Sequence, residues 1–288
     1  MFDWIILAIV LVWLTFAAIC DIKTKEVPDW LSYSLILLGL SIYSLKSIQE
    51  NSFSPILKSL TVLGIFFAIS ELMYLSKQWG GGDSKILMGL GAILPEYPAQ
   101  LINVFNPNLS LPFPIILFMN ILIAGGVYGI LVSLTLILKN IKKFTKHFRE
   151  LTKEKNIKSI RLIILILSFL FIILALIIKN YSLQLAFFAL AIVPLTFLYL
   201  YLSVKSIENI SMYKLIDTKK LVDGDWIAED IIINNKLVYS KKSLGVTKKQ
   251  IEVIQKHKKK VLVKDGIAFI PAFLIGTIIS ILLGNFIF

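Results

Sequence analysis

This chain is short of the side chains from which many enzyme sites are built. Of its 288 residues one is a cysteine, Cys20, and two are histidines, His147 and His257. A single thiol excludes disulfides within the chain and cysteine-rich zinc sites. Both histidines sit inside lysine-rich stretches and read as solvated surface groups. Charge is scarce too: 17% of residues are charged against 57% hydrophobic, and mean hydropathy is +0.81. Soluble domains lie nearer roughly half apolar and a quarter charged.

What is there is long apolar runs, and ~18 or more such residues together indicate a membrane span. Eight segments qualify or come close: about 4–20, 30–46, 56–76, 84–94, 113–138, 161–179, 182–204 and 266–288. The first, "WIILAIVLVWLTFAAIC", lacks a basic n-region and a small-residue cleavage site, so it reads as a retained helix. When the connections alternate between two sides, Lys46, Lys58 and Lys179 fall on one side. The remaining 27 of the 30 Lys and Arg fall on the other. The positive-inside rule makes that richer side cytoplasmic and both termini external. The net charge of +12 thus orients the chain in a cell-membrane bilayer, and no nucleic-acid partner is needed to explain it. The expected fold class is a polytopic α-helical membrane protein, with about eight transmembrane helices and a small α+β cytoplasmic domain.

Residues 1–140 read as a membrane-embedded core, and 141–205 as a basic cytoplasmic loop with two further transmembrane helices. Residues 206–264 read as the small domain, and 265–288 as a C-terminal transmembrane helix. The stretch "KNIKKFTKHFRELTKEKNIKSIR" is charged and weakly helical, a solvated connector. Within the small domain, "DWIAEDIII" and "LVYS" read as strands around a turn at Asn234-Asn235. Thr247 and Gln250 have capping-box spacing at the head of a helix, and "VLVKDG" suggests another strand.

An ionisable group within a bilayer segment is costly and is a functional candidate by default. Asp3 and Asp29 lie at span ends, and Glu71 lies close enough to one to snorkel. Asp21 and Asp83 differ, because the topology puts both at the cytoplasmic face. Asp21 opens "DIKTKEVPDW", where Pro28 forbids simple continuation of the first helix, so 21–29 reads as a short turn. Asp83 follows Gly80, Gly81 and Gly82 and precedes an apolar run that ends at Pro95. Eleven helical residues cover about 17 Å, short of a ~30 Å hydrocarbon core. The carboxylate and its glycines are therefore expected below the membrane surface, in the wall of a wet recess. Glycines there permit positive φ and close approach of a second backbone. The plainer alternative is a loop ending in an Asp83 helix cap.

Two carboxylates facing one water form a peptidase site that needs no metal, cofactor, thiol or histidine. Close carboxyls cannot both ionise, so one keeps a proton. The charged one activates water, and the protonated one assists the carbonyl oxygen and the leaving amine.

"GGGDSKILMGLGAILP" fits the GxGD motif and resembles the active-site helix of type IV prepilin peptidases. "DIKTKEVPDW" resembles the segment around their other aspartate. "GDWIAEDI", "GVT" and "GIAFIPAFLIG" resemble the C-terminal part of archaeal preflagellin and prepilin peptidases. The resemblance covers about residues 1–140 and 206–288. It implies a membrane aspartic endopeptidase that removes a short basic leader from pilin-like or archaellin precursors at the cytoplasmic face. Asp21 and Asp83 would be catalytic, and Gly80–Gly82 a substrate-approach loop. Lys85, Lys23, Glu26 and Asp29 are candidates for tuning or substrate contact. The chain has none of the paired Cys-x-x-Cys sequences of bacterial relatives that also methylate the new amine, so cleavage without methyl transfer is expected. It also departs from presenilin-type GxGD proteases, in which Tyr precedes the first aspartate; here that residue is Cys20. Spans 161–204 exceed a minimal preflagellin peptidase. Two rival readings remain: a proton- or cation-coupled transporter using the same aspartates, and a non-enzymatic scaffold of pilus or archaellum assembly. Gly125 and Gly129 read as a helix-packing pair, and Trp30 and Trp79 as an interfacial belt.

Overall fold

Long apolar runs with few helix breakers leave the backbone to satisfy its own polar groups, and in lipid the α-helix does so within one segment. The computed structural model describes residues 2–286 and is mostly helical. Its helices are α1 (Phe2–Thr24), α2 (Asp29–Gln49), α3 (Ser54–Leu75), α4 (Gly81–Ile93), α5 (Ala99–Phe105) and α6 (Phe113–Lys139). They continue with α7 (Ile141–Lys153), α8 (Lys155–Ile177), α9 (Tyr181–Ile207), α10 (Lys248–His257) and α11 (Ile270–Leu282). Among the described residues six helices are long and apolar enough to cross a membrane: α1, α2, α3, α6, α8 and α9 with its continuation. The protein is a multi-pass membrane protein. Of the eight segments expected, α4 and α11 are the two that fall short, at 13 residues each. Each is about 20 Å long.

The chain forms two compact units. The first takes in the chain up to Ile130 and again from Ile216. Its membrane core is built on helical stripes. On α1 the buried positions Ile6, Val10, Leu14, Ala17 and Asp21 recur at steps of three and four, so one inward face carries four apolar residues and then a carboxylate. Helix α4 is buried along most of its length, from Ser84 through Ile93. It packs between α2 and α3. Serines pin it at both ends: Ser59 Oγ donates to the Ala92 carbonyl at 2.7 Å, while Ser70 and Ser84 each donate to the other's carbonyl. Such hydroxyls tie buried helices together without leaving an unmade bond. Helix α11 packs on α1, and Asn120 of α6 reaches its far end through Ser280 Oγ at 3.0 Å and the Gly284 carbonyl at 2.8 Å.

The same unit contains the small α+β domain. Strands β2 (Ile231–Ile233) and β3 (Lys236–Tyr239) form an antiparallel hairpin with Ile233 opposite Lys236. Asn234 and Asn235 both have positive φ, the conformation a two-residue I′ turn demands. Helix α10 opens with the expected box, Thr247 N–H donating to Gln250 Oε1 at 2.9 Å. Strand β4 (Lys260–Lys264) runs antiparallel to 226–228 and leads into α11. Buried Ile227, Ile231, Tyr239, Val246, Ile254 and Val261 form a core separate from the membrane helices.

The second unit, residues 131–215, contains α8 and α9 as an apolar pair and the basic helix α7. The chain leaves it through β1 (Tyr213–Asp217). Here the structure corrects the expectation of a solvated connector. Ile141, Phe144, Phe148 and Leu151 recur at helical spacing, and Phe148 stacks between Phe144 and Tyr199. Leu151 is buried with Ile157, Leu198 and Leu202. The lysines obscured the apolar face of Phe144, Phe148 and Leu151.

Candidate functional site

Asp21 lies within α1, one turn before its end, and not in the turn beyond it as expected. The helix persists because Pro28 lies far enough ahead to leave 21–24 their helical bonds. It ends at Lys25, whose positive φ accompanies an N–H···O bond to the Asp21 carbonyl at 2.9 Å. The Asp21 side chain is 7% exposed, and its Oδ2 accepts the Ile270 N–H at the start of α11 at 2.9 Å.

Asp83 occupies the first turn of α4. Its Oδ2 accepts the Gly80 N–H at 3.0 Å, so a capping role is real. The charge of Asp21 reaches the Asp83 carboxyl, and Tyr128 of α6 also lies within the field of Asp21. The two aspartates that the sequence singled out, 62 positions apart, are thus close enough for their charges to interact.

The glycines need correction. Only Gly80 lies outside the helix, with φ −75° and ψ 167°, while Gly81 and Gly82 begin α4. None of the three has positive φ. The close approach that a missing side chain permits is instead made by Val27, whose Cβ and Cγ2 would both lie 3.1 Å from a Cβ on Gly82. Val27 belongs to the turn after Asp21, so Gly82 lets the two aspartate-bearing segments meet. If the pair cleaves precursors as the resemblance implies, Gly82→Val should lower that cleavage at least roughly tenfold while membrane insertion is kept, because displaced reacting groups cost rate steeply. Full activity of that variant would mean that the contact does not set the site.

The four lesser candidates separate. Lys85 and Asp29 form an ion pair, and the Lys85 ammonium lies 5.5 Å from the Tyr33 ring centre. Each is thus held by the other. Lys23 and Glu26 are exposed. Partial burial and then the nearby charge of Asp225, in the small domain, push the Glu26 carboxyl up. Asp225 is pushed up likewise, by burial and then by Asp265, against a bond from the Val222 N–H. The small domain also meets the loop before α4, where Lys77 Nζ donates to the carbonyls of Lys242 at 2.7 Å and Lys241 at 3.3 Å.

The two tryptophans behave differently. Trp30 is 60% exposed, as an interfacial residue would be. Trp79 is 6% exposed and packs against Phe118, Phe269 and Phe273. It belongs to the membrane core, and the belt reading fails for it. Sequence reasoning also missed Ile270 and the Ser70–Ser84 pair; the only visible sign was Pro271, which marks the first turn of α11.

Residues 8–130, which contain both aspartates and the glycines, match the model of the type IV leader peptidase family. This part of the chain is similar to that family. A preflagellin peptidase of Methanococcus voltae is 32% identical over 143 residues, covering 48% of this chain and 59% of that relative. One of Methanocaldococcus jannaschii is 29% identical over 137 residues, covering 46% and 58%. The prepilin peptidase EppA of Methanothermobacter thermautotrophicus is 28% identical over 115 residues, covering 38% and 30%. The chain thus spans somewhat more than half the length of the first two relatives and under a third of the last. No solved structure matches it.

Proposed function

We propose that the chain is a membrane aspartic endopeptidase that removes the short basic leader from pilin-like or archaellin precursors. The observation that carries this reading is that Asp21, near the end of α1, and Asp83, in the first turn of α4, lie close enough for their charges to interact, inside the segment that matches the leader peptidase family model. In that reading the ionised carboxylate takes a proton from water as the water oxygen attacks the peptide carbonyl. The protonated carboxyl hydrogen-bonds the carbonyl oxygen, and a proton passes to the departing amine as the C–N bond breaks. One shared proton lets the pair serve as base and acid in turn. Acidic Glu26 and Asp225, on the same side as Asp21, would draw a basic leader towards it. The small domain at 206–264 would dock the precursor. Cleavage of a synthetic basic-leader precursor by purified protein in detergent tests the reading; a transporter or scaffold would leave the precursor intact.

The site faces the cytoplasm in this proposal, with both termini external. That follows from the lysine and arginine bias. A reporter fused after residue 240 should read cytoplasmic and one within 100–110 external. An external signal at 240 would overturn the orientation and the placement of both aspartates.

A further inference from the structure

Asp21 is held by a helix that lies outside the segment matched by the family. Its carboxylate receives the Ile270 N–H at 2.9 Å in a buried setting, and the Phe269 N–H lies beside the same group. Pro271 follows and has no N–H to offer, and the Ala272 N–H is spent on the Phe269 carbonyl at 2.9 Å, so the free donors at the start of α11 are those of Phe269 and Ile270. The Phe269 ring at that turn is closely seated. A Cβ on Gly125 would lie 2.4 Å from its Cζ and 2.7 Å from its Cε2, so the ring rests on bare α6 backbone. Trp79 walls it on a second side with centroids 6.0 Å apart, and Phe273 on a third at 5.8 Å. The seat is particular to Gly125: a Cβ on Gly126 or Gly129 would meet nothing within 4 Å. The two-glycine packing pair expected of α6 is therefore a single-glycine socket.

We propose that Phe269 is a positioning residue for Asp21: its ring, keyed onto Gly125 and walled by Trp79 of the loop before Asp83, fixes the start of α11 so that the Ile270 N–H orients the Asp21 carboxylate. This rests on the peptidase reading and deepens it. The aromatic key links the two aspartate-bearing segments to residues beyond 264. The small domain's last strand, β4, ends at Lys264, a short segment before that key.

The test is steady-state cleavage of a basic-leader precursor by purified protein in detergent, with kcat and KM measured separately. Gly125→Leu expels the ring and should lower kcat at least roughly tenfold, since small misplacements of reacting groups are costly. KM should stay within about twofold, because the precursor's binding contacts are untouched. Gly126→Leu, one residue along the same helix, should match wild type. Phe269→Ala should also lose kcat. The Gly125→Leu/Phe269→Ala double variant should exceed Gly125→Leu alone, because leucine refills the vacated socket. Should Gly125→Leu not be recovered folded, Phe269→Ala decides alone, since it removes the ring without adding bulk. Wild-type kcat in either single variant, or a double variant no better than Gly125→Leu, overturns the proposal. An inert wild type sinks the peptidase reading and this inference with it; an active wild type with unimpaired variants sinks only the inference.

Discussion

Asp21→Asn and Asp83→Asn should each abolish cleavage of a basic-leader precursor, with a loss of at least roughly 10³-fold, within the ~10²–10⁴ range typical of positioned acid–base groups. Asparagine keeps the shape of the side chain and an oxygen to accept the Ile270 N–H at position 21 or the Gly80 N–H at position 83. The fold should therefore survive, and the loss isolates proton exchange from packing. In the proposed mechanism the two carboxyls act as a unit, so the double variant should be little worse than either single one. Glu71→Gln is the control. Glu71 lies on α3 next to Ser70, which ties α3 to α4 through Ser84, yet it has no part in the proposed chemistry. Its variant should retain cleavage. Wild-type turnover by Asp21→Asn, with Asp83→Asn dead, would discard the two-aspartate mechanism and make Glu71 the partner to test.

The parts of this molecule legible in its sequence are those governed by local chemistry. Apolar run length found the long helices, Asn234-Asn235 located a hairpin, and Thr247 and Gln250 marked the start of α10, since each depends on residues a few positions apart. The short α4 was legible too, because Pro95 and the glycines bound it. The misreadings concern the third dimension. Trp79 resembles an interfacial tryptophan until α11 returns from nearly two hundred residues away to cover it with Phe269 and Phe273. Gly82 looks like a loop glycine, but its lack of a side chain serves Val27. Helix α7 differs for another reason: its lysines dominate its composition, and only the spacing of Phe144, Phe148 and Leu151 reveals the face that packs. Both aspartates stood out because a carboxylate in an apolar chain is conspicuous. The backbone N–H that orients Asp21 carries no side-chain signature at all.

The second large effect should appear at Gly39, where two ordinary rules give opposite signs. A glycine inside a helix is destabilising by roughly 0.5–1 kcal/mol relative to alanine, so propensity alone predicts that Gly39→Ala strengthens α2. Packing predicts the reverse. A Cβ at this position would sit 2.7 Å from the carbonyl carbon of Ala92 and from the nitrogen of Ile93, and 2.8 Å from the Ala92 oxygen. These are backbone atoms of α4, which cannot swing aside as a side chain can, and Ser59 Oγ holds the same Ala92 carbonyl from α3. Relief requires α4 to move as a rod, and the other end of that rod carries Asp83. Overpacking of a well-filled core typically costs ~1–3 kcal/mol, occasionally more, which exceeds the propensity gain. Gly39→Ala should therefore lower the midpoint of thermal unfolding in detergent and reduce cleavage, and Gly39→Leu should leave little folded protein. Gly64 on α3 provides the contrast, since a Cβ there would meet nothing within 4 Å. Gly64→Ala should follow propensity and leave the midpoint unchanged or slightly raised. A raised midpoint for Gly39→Ala would show that α2 and α4 are not in backbone contact, and the clamp that presents Asp83 to Asp21 would have to be sought elsewhere.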